Sequence, residues 1–247
     1  MVKKPATMHH FFIILLILLA GCKFPHVSSR QHNVFSRMRD GVVHVGQFTQ
    51  DADGEIGQLL GSGFFVDHEG TVVTAKHLLK NAEEESLYIK YIPIQNRNKF
   101  HILRVKIIYQ HESKDLAFLK AINCPSQVRP LSLIQKLDSL ASLGGEIVLI
   151  GGFPRLGSRT VDYPIIRRAI ISSTEFTDAQ EDTPLLLLDL EGAPGFSGSP
   201  VALERSGKVV GVVTGSVKRR IADRGYYPQG ATPITLSDYD EAVRSHP

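Results

Sequence analysis

The sequence predicts an all-β protein, and three observations carry that reading. Beyond Asp40 the chain falls into short runs dominated by Val, Ile, Tyr, Phe and Thr, residues that suit a pleated, half-buried surface. Turn-forming residues separate the runs, as in Asp67-His68-Glu69-Gly70. Helical periodicity is weak throughout. About ten to twelve short strands over roughly 200 residues fit barrels or a sandwich, and periodicity does not choose between them. A length of 247 residues, 43% hydrophobic and 21% charged, allows one large domain or two small ones and excludes a wholly disordered chain.

The strand candidates run, in order, over 41–48, 63–66, 72–74, 86–94, 101–109, 116–120, 146–150, 165–172, 185–190 and 209–214. Short helices are expected at 75–81, 131–140 and 237–243. The stretch 121–144 is poor in strand signal and contains Pro125 and Pro130, so it reads as the crossing between two halves. There is no internal repeat and no low-complexity tract.

The first residues follow a different logic. Lys3 and Lys4 precede the apolar run Phe11 to Ala20, which ends in Leu19-Ala20-Gly21-Cys22. A basic start, a short apolar stretch and small residues form a secretory signal. As a helix the run reaches roughly 15 Å, about half of a bilayer core, which argues against a spanning anchor. Leu-Ala-Gly-Cys resembles the lipobox of bacterial lipoproteins. That resemblance implies cleavage of residues 1–21 and acylation of Cys22, with Cys22 as the membrane attachment. Residues 22–39 are polar with no sustained periodicity and read as a flexible tether. Lys23 stands where the inner-membrane retention signal of Gram-negative lipoproteins has Asp, so the outer membrane facing the periplasm is the expected address there.

Several classes drop out. The net charge is +3 and no Lys/Arg run supports nucleic-acid binding. Two cysteines exclude a disulfide scaffold, and Cys124 has no neighbouring base that would make it a nucleophile. No His/Cys spacing suggests a metal, and no cofactor is expected. Gly151 to Gly157 (GGFPRLG) lacks the terminal Lys-Ser/Thr of a phosphate loop.

Three local motifs narrow the reading further. They are Gly61-Ser62-Gly63-Phe64-Phe65-Val66 with Thr74-Ala75-Lys76-His77, then Lys114-Asp115-Leu116-Ala117-Phe118-Leu119-Lys120, then Pro194-Gly195-Phe196-Ser197-Gly198-Ser199-Pro200. Together they resemble the chymotrypsin-like serine proteases, and most closely the bacterial trypsin-like group that includes the HtrA/Deg enzymes. The resemblance implies two six-stranded antiparallel β-barrels with the active site between them. The protease body would span 40–240, with the first barrel at about 40–124 and the second at about 140–236. It also implies a serine endopeptidase acting on protein or peptide substrates in the cell envelope. A PDZ domain like that of many HtrA relatives is not expected after this body.

A serine hydroxyl is a weak nucleophile at neutral pH and needs an adjacent base. Imidazole suits that task because its pKa lies near the working pH. A buried carboxylate then fixes the tautomer and stabilises the imidazolium. The resemblance assigns these roles to Ser197, His77 and Asp115, and the oxyanion hole to the N–H groups of Gly195 and Ser197. It places substrate along Thr214, Gly215 and Ser216, and puts Glu191 near the base of the primary specificity pocket, where an acid selects a basic residue. Asp189 is expected to be structural. The chain order His, Asp, Ser, with Ser199 where a G-x-S-x-G elbow needs Gly, excludes an α/β-hydrolase.

One departure stands out. Phe196 occupies the position of the Asp that forms the zymogen-activation salt bridge in digestive relatives, so that bridge cannot form; packing of Phe196 beneath the turn is expected instead. The competing class is an inactive protein-binding scaffold on the same fold, against which the retained triad argues.

Overall fold

The computed structural model describes residues 29–51, 54–93, 99–125, 128–156, 159–161, 163–177, 184–216 and 228–245. Cys22, the leader and the first part of the expected tether lie outside these residues.

Strands β1 (Val42–Asp51), β2 (Gly54–Phe65), β3 (Thr71–Thr74), β4 (Leu87–Tyr91), β5 (His101–Gln110) and β6 (Ala117–Ala121) close a barrel in the order β1-β2-β3-β6-β5-β4. A second barrel is built from β7 (Ile147–Gly152), β10 (Ile165–Thr177), β11 (Pro184–Glu191), β12 (Pro200–Leu203), β13 (Val209–Ser216) and β14 (Pro228–Pro233). Its order is β10-β11-β14-β13-β12-β7, closed. Counted along the chain, the two rings have the same topology. A small hairpin, β8 (Arg155–Leu156) with β9 (Arg159–Thr160), stands apart from both. Among the described residues every strand-to-strand ladder is antiparallel, and a single isolated bridge, Leu133 to Val209, is parallel.

Side chains alternate across a strand, so the two faces of these strands enter different cores. Phe65, Val72 and Leu119 fill the first barrel, while their neighbours Phe64, Val73 and Phe118 point into a seam between the barrels. Val148, Ile150, Val210 and Val213 fill the second barrel, while Leu149, Val209 and Val212 enter the same seam. That double burial explains continuous apolar runs such as Val209 to Val213, where a one-sided sheet would alternate.

Three expectations need correction. Residues 29–41 are not tether but helix α1 (Ser29–Gly41). Val34 and Met38, one helical turn apart, are buried in the seam, and the Asp40 carboxylate accepts from Arg129 at 2.9 Å. Only Val34, Phe35 and Met38 are apolar in this polar stretch, and Phe35 is exposed, so almost no periodic signal is left; docking supplies the helix with its stability. Next, 131–140 is not helical. Leu131 and Leu133 are buried and Ser132 is exposed, a period of two, and Leu131 N–H donates to Phe65 C=O at 2.8 Å while Ile134 N–H donates to Val209 C=O at 2.9 Å. The crossing therefore stitches one barrel to the other. Finally, 75–81 holds only a 3-10 turn, Lys76–Leu79. The terminal helix is present as α2 (Leu236–Ser245), where Asp238 accepts from the N–H of Thr235 at 2.8 Å in a capping-box arrangement.

Strands β8, β9, β12 and β14 fall outside the runs that the sequence predicts as strands. β14 is Pro-Gln-Gly-Ala-Thr-Pro, poor in strand formers yet buried along its whole length, so tertiary pairing overrides propensity.

Candidate active site

The site lies where three connections meet over the seam. His77 sits in the 3-10 turn that follows β3, and Asp115 ends the β5–β6 connection, just before β6. Asp115 meets His77 twice: Oδ1 accepts the backbone N–H of His77 at 2.8 Å, and Oδ2 lies 2.6 Å from Nδ1. The carboxylate is acceptor-only when ionised, so Nδ1 carries the proton and Nε2 is left as the base. Asp115 is 15% exposed and His77 42%, which leaves the imidazole edge open to the cleft.

The Asp115 connection is held from two sides. Lys76 Nζ donates to the carbonyl of His111 at 2.8 Å, joining the His77 turn to it. His111 Nδ1 accepts from Ser113 N–H at 3.2 Å and Lys114 N–H at 3.1 Å, which caps the loop. Lys114 pairs with Asp238 of α2, so the far end of the chain returns to brace the first barrel. Burial, together with the Lys114 charge, holds the His111 imidazole below its ordinary value against the opposing Asp238 carboxylate.

Ser197 lies in the β11–β12 connection, on the turn 193–199. Glycine is required here at two points. Gly195 has φ +94° and an added Cβ would fall 2.4 Å from Phe153 O; Gly198 has φ +85° and its Cβ would fall 1.9 Å from Ser62 O. Phe196 is 3% exposed and packs into the second barrel's core, as expected for a residue that wedges under the turn. Pro194 C=O accepts from Arg155 N–H at 2.8 Å, and in a trans peptide the Gly195 N–H points the opposite way. Within the turn, Phe196, Gly198 and Ser199 spend their N–H groups internally or on β13. Among the described residues, the N–H groups of Gly195 and Ser197 have no acceptor. Two unspent N–H donors on one turn beside a serine are what an anion site requires. Among the described residues no hydrogen bond joins His77 to Ser197; such contacts tighten when substrate binds.

Thr214 to Ser216 form an open edge. β12 pairs with β13 only as far as Val212, and two turn bonds from Gly198 N–H and to Ser199 C=O finish at Val213. On the other side β14 continues to pair through Gly215 and Ser216. A Cβ on Gly215 would meet nothing within 4 Å among the described residues. Glu191, exposed, ends β11 opposite Pro228. Asp189 accepts from the Ile170 N–H, a structural role. Cys124 is half-buried, and burial pushes its thiol up, away from reactivity. The structure adds Ser62, Phe153 and Arg155 to this neighbourhood, and no local residue pattern marks them.

Two closed β-barrels with a bonded His–Asp pair and a serine turn across their seam place the protein in the chymotrypsin-like class. A family model described as "Trypsin-like peptidase domain" matches residues 61–212, which include His77, Asp115 and Ser197. The chain belongs to that family. It is 27% identical over 167 residues to a "Probable periplasmic serine endoprotease DegP-like" of Marinomonas sp. (strain MWYL1), covering 67% of this chain and 32% of that relative. The chain thus spans about a third of that protein's length. Among solved structures, the HtrA-type protease AlgW with decapeptide superposes with a TM-score of 0.64 at 17% identity, covering 87% of this chain and 68% of that one. A substituted AlgW with tripeptide gives 0.63 at 18% identity, covering 87% and 64%. At these identities the likeness is one of fold.

Proposed function

We propose that the protein is an HtrA-type serine endopeptidase, attached by lipid to a bacterial cell envelope. The observation that carries the peptidase reading is the pair of unspent N–H groups at Gly195 and Ser197, beside a His77 whose tautomer Asp115 fixes. His77 Nε2 takes the Ser197 proton as Oγ attacks the substrate carbonyl carbon. The two N–H groups hold the oxyanion. His77 then passes the proton to the leaving amine, the C–N bond breaks, and an acyl-enzyme remains. Water, deprotonated by His77, attacks the ester and releases the acid as the proton returns to Ser197. Substrate adds as an extended strand to the open edge at Thr214, Gly215 and Ser216, backbone bonds giving affinity and pockets giving preference.

The envelope location draws on the signal-like leader, the lipobox at Cys22 and the DegP-like relative's periplasmic description. Two or more acyl chains at Cys22 hold a protein durably where one does not. With α1 starting at Ser29, the chain from Cys22 reaches at most about 25 Å when extended, so the barrels would work close to the headgroups. Fluorophosphonate labelling tests the peptidase reading. We expect a covalent adduct on Ser197 and none in Ser197→Ala; an unlabelled wild type, in a protein that still binds peptide, would establish a scaffold instead. Cys22→Ser should release active enzyme from membranes, and retention of that variant would refute the lipid anchor.

A further inference from the structure

We propose that Ser62 is a positioning residue for the oxyanion-forming turn, acting across the seam from the first barrel; the inference rests on the serine-peptidase reading above. Ser62 is fully buried at 0% exposure, and each of its polar groups is bonded. Its N–H donates to Ser197 C=O at 2.8 Å, and its C=O accepts from Thr74 Oγ1 at 2.7 Å. Its Oγ accepts from Phe153 N–H at 2.9 Å and lies 2.8 Å from Gly195 C=O. The direction of that last bond is fixed by elimination. Phe153 N–H can only donate and the Gly195 carbonyl can only accept, so the single hydroxyl proton must go to Gly195.

The consequence falls on the two donors of the anion site. The carbonyl before Gly195 is held by Arg155 N–H, and the carbonyl after it by Ser62. Fixing both flanking peptide planes fixes the left-handed Gly195, with φ +94°, and with it the aim of its N–H. The carbonyl after Ser197 is held by the same residue, so the stretch 195–197 is gripped at both ends from one point of the opposite barrel. Thr74, which binds the Ser62 carbonyl, closes the strand that leads to His77. One residue therefore ties the anion donors to the strand of the base, its backbone holding Ser197 and Thr74 and its hydroxyl holding Gly195. A serine suits the place: an alanine has no proton to give, and the surroundings are tight, since even a Cβ on Gly152 would lie 3.0 Å from Ser62 Oγ.

The test compares wild type with Ser62→Ala and with Ser62→Cys, near in volume but a weak donor, on a short chromogenic peptide. For Ser62→Ala we expect kcat to fall about 10- to 100-fold with KM changed by less than about twofold, somewhat less than deleting an oxyanion donor outright. Affinity for a peptide aldehyde, whose hemiacetal oxygen occupies the anion site, should fall by the same factor, while product-peptide affinity stays. Amide hydrogen exchange across 193–199 should quicken. If Ser62→Ala does not fold, Ser62→Cys carries the test, with a smaller loss divided in the same way. A folded variant with kcat retained, a loss confined to KM, or aldehyde affinity that does not follow kcat overturns the role. If fluorophosphonate fails to label wild type, the peptidase reading falls and this role with it. If wild type is labelled and active while Ser62→Ala matches it, only the role of Ser62 falls.

Discussion

The two barrels share one strand order and use the same connection for chemistry, yet they hold it differently. In the first, the link between the third and fourth strands carries His77; in the second, the corresponding link carries Ser197. The His77 link is completed inside its own barrel, through two bonds to Asp115 and one from Lys76 to the His111 carbonyl. The Ser197 link depends on the neighbour. Ser62 of the first barrel bonds both Gly195 and Ser197, and Gly198 presses against the Ser62 carbonyl. The His77–Asp115 pair proposed as the base is thus assembled locally, whereas the turn proposed to carry the nucleophile and anion site is held in part from the opposite barrel. Anything that loosens the seam should silence the serine before it disturbs the His–Asp pair.

The largest expected effect tests whether the two halves act as a unit. Ser197→Ala should lower kcat about a million-fold, as in the subtilisin case, and His77→Ala should be nearly as severe with no further loss in the double variant. Additive losses, measured on one peptide, would mean the barrels contribute independently.

Gly198→Ala attacks the seam itself. At φ +85° the new Cβ would collide with Ser62 O, so we expect about 3 kcal/mol or more of destabilisation from backbone strain and overpacking. Activity should fall further than the residual folded fraction explains. Chemical denaturation and active-site titration with fluorophosphonate measure the two losses; a variant as stable and as active as wild type would show that the close approach is tolerated.

Gly215→Val probes the open edge of the second barrel. Its side chain would enter the groove proposed for substrate, raising KM about 10-fold with kcat little changed. Steady-state kinetics on an extended peptide decide this, and a normal KM would place the cleft wall elsewhere.

The smallest effect concerns the first barrel's own bracing. His111 has a folded value below its ordinary 6.5, so the native state binds fewer protons than the unfolded chain as pH falls through that range. Its contribution is complete above 6.5 and is lost as the pH drops through the folded value. Protonation of Nδ1 would also strip the caps from Ser113 and Lys114, while Asp238, Glu241, Lys114 and Lys76 set the surrounding field. Melting temperature should therefore decline from pH 7.5 to 5.5 more in wild type than in His111→Asn, whose amide oxygen still accepts. Parallel declines would remove His111 as the cause.

The sequence alone determined the β class, most strands and the terminal helix, because double burial writes unbroken apolar runs such as Phe64-Phe65 and Val209 to Val213 into local composition. It also pointed to His77, Asp115 and Ser197, through motifs that resemble those of the chymotrypsin-like proteases; the tertiary structure brought His77 and Asp115 into direct contact. What only that structure decided is what each run packs against. Helix α1 shows as three scattered apolar residues until Val34 and Met38 find the seam, and β14 has no propensity of its own until neighbours pair with it. The crossing at Leu131 and Leu133 is extended rather than helical for the same reason, because a few apolar residues fit either period until a partner strand fixes one. Ser62 is the sharpest instance. Its hold on the serine turn lies in bonds to residues about 90 to 135 positions away, and no local pattern records a contact whose energy comes from distant parts of the chain meeting in a place that excludes water.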